Sequence, residues 1–435
     1  MGSMIIFLIF SIKIMFFFYQ SIVLLIIIFS PIILLIRIFK KKEDKIRFKE
    51  KFCFFSKKRD RGNLIWFHGS SVGEVLSIMP LVKKLEKNTS IKKILITSST
   101  LSSASIIKRF KFKKTIHQFF PIDLNFLTNK FLDYWKPTVA IFIESEIWPS
   151  MFLNIKKKSI PLILINARIT KKTFNKWIKL GSFCKNIFSK IDFAYPQNLE
   201  TLKYLKKLEV NKIKLIGNLK FTENKNDRLD LLEKSFIQQL KNRKLWCASS
   251  THADEELICA KVHFKLKKKY KNLLTIIIPR HIHRVDEIKN KIKSLGLKII
   301  SRSSNKKILK DLDVFLVDTY GETKQFYNIA NPVFLGGSFI KHGGQNPIEP
   351  ARLGSQIIHG PNVDNFKEVY KLFNNKRISH KVKNIQQFTK IVDKLINTSK
   401  RDNNKFIEIK KIGKTILDKS TQEINNIVKN EIKKT

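Results

Sequence analysis

A chain of 435 residues is too long for one ordinary hydrophobic core, and at roughly 100–200 residues per domain it implies two or three domains. A hydrophobic content of 43% is enough for a packed globule, and the formal charge of +49 leaves two readings. One is a polyanionic partner, nucleic acid or an anionic membrane; the other is a composition biased throughout to Lys, Ile, Asn and Phe, as AT-rich coding produces. The Lys residues are spread along the chain without any zinc-finger, RNP-type or basic-zipper pattern, which excludes those nucleic-acid-binding classes. Cys53, Cys184, Cys247 and Cys259 lie far apart with no CxxC pair, which argues against a zinc site or a disulfide framework and predicts buried free thiols in a reducing compartment.

In chain order, the first element is the apolar run from Met4, which is itself a second candidate start, to the basic cluster "KKKEDKIRFKEK". Crossing a bilayer takes about 20 apolar residues; Ser21–Ile36 is short, and adding Phe16–Tyr19 suffices at the expense of Gln20. Pro31 is tolerable in a membrane helix, and no small-residue cleavage site follows. Residues 4–39 are therefore expected to be an uncleaved, single-pass membrane anchor. The basic cluster after it places the globular part on the cytoplasmic side.

Beyond the anchor, short β-rich runs alternate with helical stretches. "NLIWFHG" reads as a strand, "GEVLSIMPLVKKLEK" as an amphipathic helix and "KKILITSS" as a strand. "PTVAIFIES" and "IPLILINAR" are continuous apolar runs of the kind buried on both faces of a parallel sheet. A second series follows: "KLWCASS", "LTIIIPR", "LGLKIISR", "DVFLVD", "NPVFLGGS" and "SQIIHGP". This alternation predicts βαβ units in two Rossmann-like halves, 40–215 and 216–435, parted near Lys214–Phe221. Polar or Gly-rich loops follow five of the predicted strands, from both halves. Since open α/β sheets bind ligands beyond the carboxyl ends of their strands, a cleft between the halves is the expected binding site.

The loops carry recognisable chemistry. In "HGSSVGEV", Glu74 opens a helix; it is either an ionised base able to accept a proton from an alcohol or a capping glutamate, with Gly73 admitting close backbone approach. In "IFIESEIWPSM", period-two alternation puts Glu144 and Glu146 on one face, where two carboxylates need cations or ligand hydroxyls; function and packing are evenly balanced there. In "IIPRHIHRVDEI", Arg280 follows Pro279 at a strand end and is placed to grip a phosphate, whereas His281 and His283 lack a third metal ligand. In "GGSFIKHGGQNPIEPARLG", Asn346 is expected to cap a helix with Pro347 at its first position, exposing free amides to an anion, with Glu349 free for ribose hydroxyls. Neither a Walker loop nor a GxGxxG fingerprint is present.

Together "WFHGSSVGE", "ESEIWP", "NARIT", "GNLKF", "ASSTHADEE", "PRHIHR", "DTYGE" and "GGSFIKHGGQNPIEPARLG" resemble, in order and spacing, the 3-deoxy-D-manno-octulosonic acid (Kdo) transferases of lipopolysaccharide biosynthesis. The resemblance runs from about Gly62 to Val369 and includes the N-terminal anchor. It implies an α/β GT-B fold of two Rossmann-like domains, the acceptor on the first and the sugar nucleotide on the second. It also implies CMP-Kdo as donor, the tetraacylated lipid A precursor as acceptor, and inversion at the anomeric centre. By motif, Glu74 looks like the proton acceptor, and Glu144 and Lys220 like transition-state stabilisers. Pro279, Arg280, Tyr320, Gly321, Glu322, Asn346, Pro347, Ile348 and Glu349 look like the CMP-binding set. No metal, cofactor or nucleic acid is implied; anionic inner-membrane lipid is. Tyr320 stands where the family more often has Met, and "GSSVGE" departs slightly ahead of Glu74. Arg168, Ile78, Met79 and Leu81 are left between lipid contact and ordinary packing. The rival functions are a UDP-sugar-dependent GT-B enzyme and a membrane-tethered basic nucleic-acid-binding protein.

Overall fold

The computed structural model describes residues 2–222, 232–397 and 403–434. The chain divides into two compact units, one of Met1–Glu223 with Gly413–Thr435 and one of Asn224–Ile412.

The first unit is built on a seven-stranded sheet: β1 (Leu64–His68), β2 (Lys93–Ser98), β3 (Thr115–Phe119), β4 (Val139–Ile143), β5 (Leu162–Ala167), β6 (Phe193–Pro196) and β7 (Lys212–Ile213). Their order is β3-β2-β1-β4-β5-β6-β7, with every pairing parallel. β1, β4 and β5 are buried at every residue, as strands must be when helices cover both faces of a sheet. The strand order reverses between β1 and β4, the topological switch point where such sheets open a crevice beyond their carboxyl ends. The loops after β1 and β4 carry Glu74, Glu144 and Glu146. Trp66, Phe131, Trp135, Phe142 and Phe152 fill the core on one side of this sheet. Ile78, Met79 and Leu81 are also fully buried, which assigns them to packing.

The second unit repeats the plan with β8 (Lys244–Thr251), β9 (Leu273–Pro279), β10 (Ile299–Ser301), β11 (Val314–Leu316), β12 (Val333–Leu335), β13 (Ile357–His359) and β14 (Ser379–Lys381). The order β10-β11-β9-β8-β12-β13-β14 is again parallel throughout and reverses between β8 and β12. The loops after those two strands are "HADEE" and the glycine-rich stretch from Gly336. The predicted strands are all present. β3, β6, β7 and β14 escape the sequence reading, because "TIHQF", "FAYP", "KI" and "SHK" are short and carry polar residues or proline on the outer strands of their sheets.

One departure and one agreement concern the ends of the chain. The helix Asn403–Ile432 was expected to belong wholly to the second half, but from Gly413 onward it belongs to the first unit. Ile416, Ile424 and Val428 are buried there, and Glu423 accepts a hydrogen bond from Tyr195 Oη at 3.0 Å. A Cβ on Gly413 would lie 2.1 Å from the Phe221 carbonyl oxygen, so only glycine allows the crossing. At the other end, the apolar run forms one helix, Gly2–Phe39, whose segment Phe10–Phe39 is long and apolar enough to cross a membrane.

Candidate active site

In the first unit, helix Val72–Leu85 begins directly after β1 and its loop. Ser71 caps it, accepting from Glu74 N–H, while Glu74 Oε2 accepts from Ser71 N–H at 3.2 Å and from Ser70 N–H at 2.7 Å. This reciprocal capping box follows from the spacing Ser-x-x-Glu, which the sequence displays at 71–74. Both bonds fall on Oε2, and Oε1 has no partner among the described residues. The two readings of Glu74 are thus compatible: one carboxylate oxygen caps the helix and the other remains available to a substrate. Gly69, not Gly73, is the sterically committed glycine of this loop. A Cβ on Gly69 would meet Ile143 Cδ1 at 2.9 Å, whereas Gly73 faces open space.

Burial raises the Glu74 carboxyl above the usual glutamate range, and the nearby charge of Glu146 adds to this against the lowering effect of the Ser71 bonds. Glu146 itself is a fixed anion. Burial pushes its carboxyl up, but hydrogen bonds from His68 Nε2 (3.0 Å), Ser70 Oγ (2.6 Å) and Trp148 Nε1 (2.9 Å) outweigh that and hold it low. His68 is fully buried, with Nδ1 2.9 Å from Thr97 Oγ1 and its ring stacked on Phe120.

Glu144 and Glu146 do not share a face, because β4 ends at Ile143 and Glu144 adopts a left-handed conformation, φ 55°. This turns Glu144 to a different set of partners. Its Oε1 lies 2.7 Å from Lys220 Nζ and accepts from Asn166 Nδ2 at 3.3 Å. Asn166 is the residue that sequence reasoning missed within "NARIT". It stands at a register shift at the end of β5 with φ 51°, and its Oδ1 accepts from Leu219 N–H at 3.0 Å. One buried amide therefore ties Glu144 to the 3₁₀ turn Leu219–Thr222 that presents Lys220. Lys220→Met leaves Glu144 mostly buried without its cation. Discounting for the pair's partial exposure, a loss of about 2 kcal/mol is expected in denaturant unfolding.

In the second unit, the glycine-rich stretch is organised differently from the sequence expectation. Gly337 N–H (2.6 Å), Ser338 N–H (3.0 Å) and Phe339 N–H (3.0 Å) donate to the buried carboxylate of Glu255, which also accepts from His252 N–H at 3.0 Å. These amides hold a protein carboxylate, which fixes the loop that leads to Asn346. Gly336 must pass against β8: a Cβ there would lie 2.4 Å from Ser250 O and 2.8 Å from Glu255 Oε2. The next helix begins at Ile348, with Pro347 rather than Asn346 at the cap position, because the Asn346 side chain forms its own turn by accepting from Ile348 N–H at 3.1 Å. Glu349 is not free but paired with Lys324 at 3.1 Å.

Arg280 follows β9 with an exposed side chain that has no acidic partner among the described residues; its own N–H donates to Thr251 O at 2.9 Å. Tyr320 is exposed, Gly321 has φ 90°, and Glu322 is paired with Arg302 at 3.1 Å. His252, His281 and His342 gather beside Arg280, with His252 and His342 ring centroids 4.3 Å apart. Burial, with the positive charge of the surrounding His342, His281, Arg280 and Arg284, lowers His252 to about 4. His252 is therefore neutral at physiological pH, and Arg280 supplies the positive charge that this cluster offers to an anionic ligand.

Residues 46–223 match the family model described as 3-Deoxy-D-manno-octulosonic-acid transferase (kdotransferase). A relative from Rickettsia bellii named 3-deoxy-D-manno-octulosonic acid transferase is 33% identical over 359 residues, 82% of this chain and 85% of the relative. One of the same name from Haemophilus influenzae is 31% identical over 318 residues, 71% of this chain and 73% of the relative. Among solved structures, a putative UDP-N-acetylglucosamine 2-epimerase from Listeria monocytogenes aligns with a TM-score of 0.62 at 10% identity, covering 86% of this chain and 98% of that one. That likeness shows the fold, of the GT-B type, and nothing of the chemistry.

Proposed function

This chain belongs to the 3-deoxy-D-manno-octulosonic acid transferase family and is a glycosyltransferase; we propose that it moves Kdo from CMP-Kdo to the tetraacylated lipid A precursor, with inversion, in lipopolysaccharide synthesis. The observation that carries the chemistry is the half-satisfied carboxylate of Glu74, fixed through Oε2 and open at Oε1. In this reading Glu74 takes the proton of the acceptor hydroxyl as its oxygen bonds to the anomeric carbon of Kdo. The bond from that carbon to the phosphate oxygen breaks, and CMP leaves with the electron pair. A single displacement of this kind inverts the centre.

Lys220, held by Glu144 and indirectly by Asn166, is proposed to stabilise the charge that develops in the transition state. On the second unit, Pro279, Arg280, Tyr320, Gly321, Glu322 and Asn346 through Glu349 are proposed to bind the CMP moiety. Glu349 would retain Lys324 as counter-ion while hydrogen-bonding the ribose. The apolar helix and the basic surface are proposed to hold the enzyme at the bacterial inner membrane, its catalytic part facing the cytoplasm. Donor choice tests the nucleotide half of this reading. Calorimetric titration should show binding of CMP and CMP-Kdo but not of UDP-N-acetylglucosamine, and the reverse preference would move the enzyme to the UDP-sugar class.

The pH response follows from the carboxylate pair. Glu74 must be unprotonated to act as base, so kcat/KM should fall as the pH drops through its raised pKa. Glu146→Gln removes a neighbouring negative charge, lowers the Glu74 value and should move the acid limb to lower pH. A profile that does not move would mean that Glu146 does not tune the base.

A further inference from the structure

The seating of the N-terminal helix constrains how it can meet a bilayer. Along one side, Ile12, Met15, Phe16 and Ile27 pack against the core of the first unit, and Val23 and Ser30 are only 7% and 8% exposed. Midway, a polar clasp fastens it. Tyr19 Oη donates to the buried Asp123 carboxylate at 2.6 Å and Gln20 Nε2 donates to Ser150 Oγ at 2.6 Å. Gln20 Oε1 accepts from Asn125 N–H at 2.8 Å. The Gln20 that interrupts the apolar run is thus explained by what it binds. Near the other end, Arg37 pairs at 3.1 Å with the buried Glu43, which also holds Lys51. Tyr19 and Arg37 are separated by about 27 Å of helix, close to the thickness of a hydrocarbon core, yet both are fastened to the same globular unit.

A helix held this way cannot cross a bilayer as it stands. Crossing would carry the polar surface of the first unit into hydrocarbon, or would require the clasp to open and strand its buried polar groups. The side away from the protein is a broad exposed apolar surface that includes Phe17, Phe18, Ile22, Leu25, Ile28 and Phe29. Exposed Lys13 lies before it, and Lys40, Lys41 and Lys42 follow it.

Resting on the membrane association proposed above, we infer that this helix lies in the plane of the bilayer surface, its exposed apolar side sunk into one anionic leaflet, rather than crossing from one side to the other. The charge at both ends complements anionic headgroups. The clasp on Ser150 sits in the first turn of helix Pro149–Lys157, directly after the loop bearing Glu144 and Glu146. Leaflet insertion thereby sets that loop at the level where the headgroup of an acylated acceptor lies.

The test uses the full chain. The four native cysteines are buried, so Lys13→Cys and Thr89→Cys, both at exposed positions, supply single reactive sites. Thr89 lies on the first unit, and Lys13 lies beyond the far end of any span over Phe16–Ile36. The purified protein should float with vesicles of phosphatidylethanolamine and phosphatidylglycerol. In inverted membrane vesicles and in spheroplasts, a membrane-impermeant maleimide should then label both cysteines from the same side. Flotation with labelling from opposite sides overturns the in-plane seating and leaves membrane association standing. Failure to float overturns both.

Discussion

Glu74→Gln is expected to lower kcat for Kdo transfer by about 10²–10⁴-fold, the usual contribution of a positioned general base, while leaving the fold and CMP binding intact. Glutamine is the informative replacement because its carbonyl oxygen can accept from Ser70 and Ser71 N–H as Glu74 Oε2 does. The capping box therefore survives, and melting temperature should shift little. What is lost is the basic oxygen at Oε1. If the variant keeps wild-type turnover, Glu74 is a cap and nothing more. If it loses activity and unfolds together, the structural role dominates and the catalytic one is undecided by that variant; Glu74→Asp, which retains the charge on a shorter arm, would then separate them.

Glu255→Gln is expected to have the largest effect on stability. The carboxylate satisfies four amides, from His252, Gly337, Ser338 and Phe339, inside a buried site. A glutamine turns an NH₂ group towards N–H donors on one of its two sides. Two charge-assisted bonds are lost there at about 1.5–3 kcal/mol each, so a loss of about 4 kcal/mol is expected. That is a large part of an ordinary domain's stability, and about 10 °C in the melting temperature of the second unit. CMP affinity should fall with it, because the same loop leads into Asn346–Glu349. Gly336→Ala should disturb the same turn by a different route, through contact with Ser250 O and Glu255 Oε2. Unchanged stability in Glu255→Gln would show that the loop does not depend on this carboxylate.

Local chemistry was readable from the sequence wherever it was carried by neighbours in the chain. Continuous apolar runs such as "VAIFI" and "LILIN" announce buried parallel strands, and the loops after them announce a ligand site, because a parallel sheet presents its strand ends together. Ser71 and Glu74 are three apart, so their capping box could have been read directly. The remainder depends on residues distant in sequence. Period-two reasoning paired Glu144 with Glu146, but a left-handed residue at 144 breaks the alternation and turns its carboxylate to Lys220. Asn166 acquires its place from a bulge, and no residue pattern marks that bulge. The carboxylate that organises the glycine-rich loop, Glu255, lies about eighty residues before the amides it binds, so no local pattern shows it. The return of the C-terminal helix to the first unit depends on the contact between Gly413 and Phe221, equally invisible in a linear reading.

The most direct test of the central claim is a product assay. The purified full chain is incubated with CMP-Kdo and tetraacylated lipid A precursor, without added metal, and the lipid products are weighed by mass spectrometry beside a Glu74→Gln reaction. The account predicts lipid heavier by one or more Kdo units from the parent protein and unmodified lipid from the variant, with the mass ladder counting the sugars added. Unmodified lipid from a folded parent protein that binds CMP-Kdo would contradict the proposed acceptor, and equal product from both proteins would contradict Glu74 as the base.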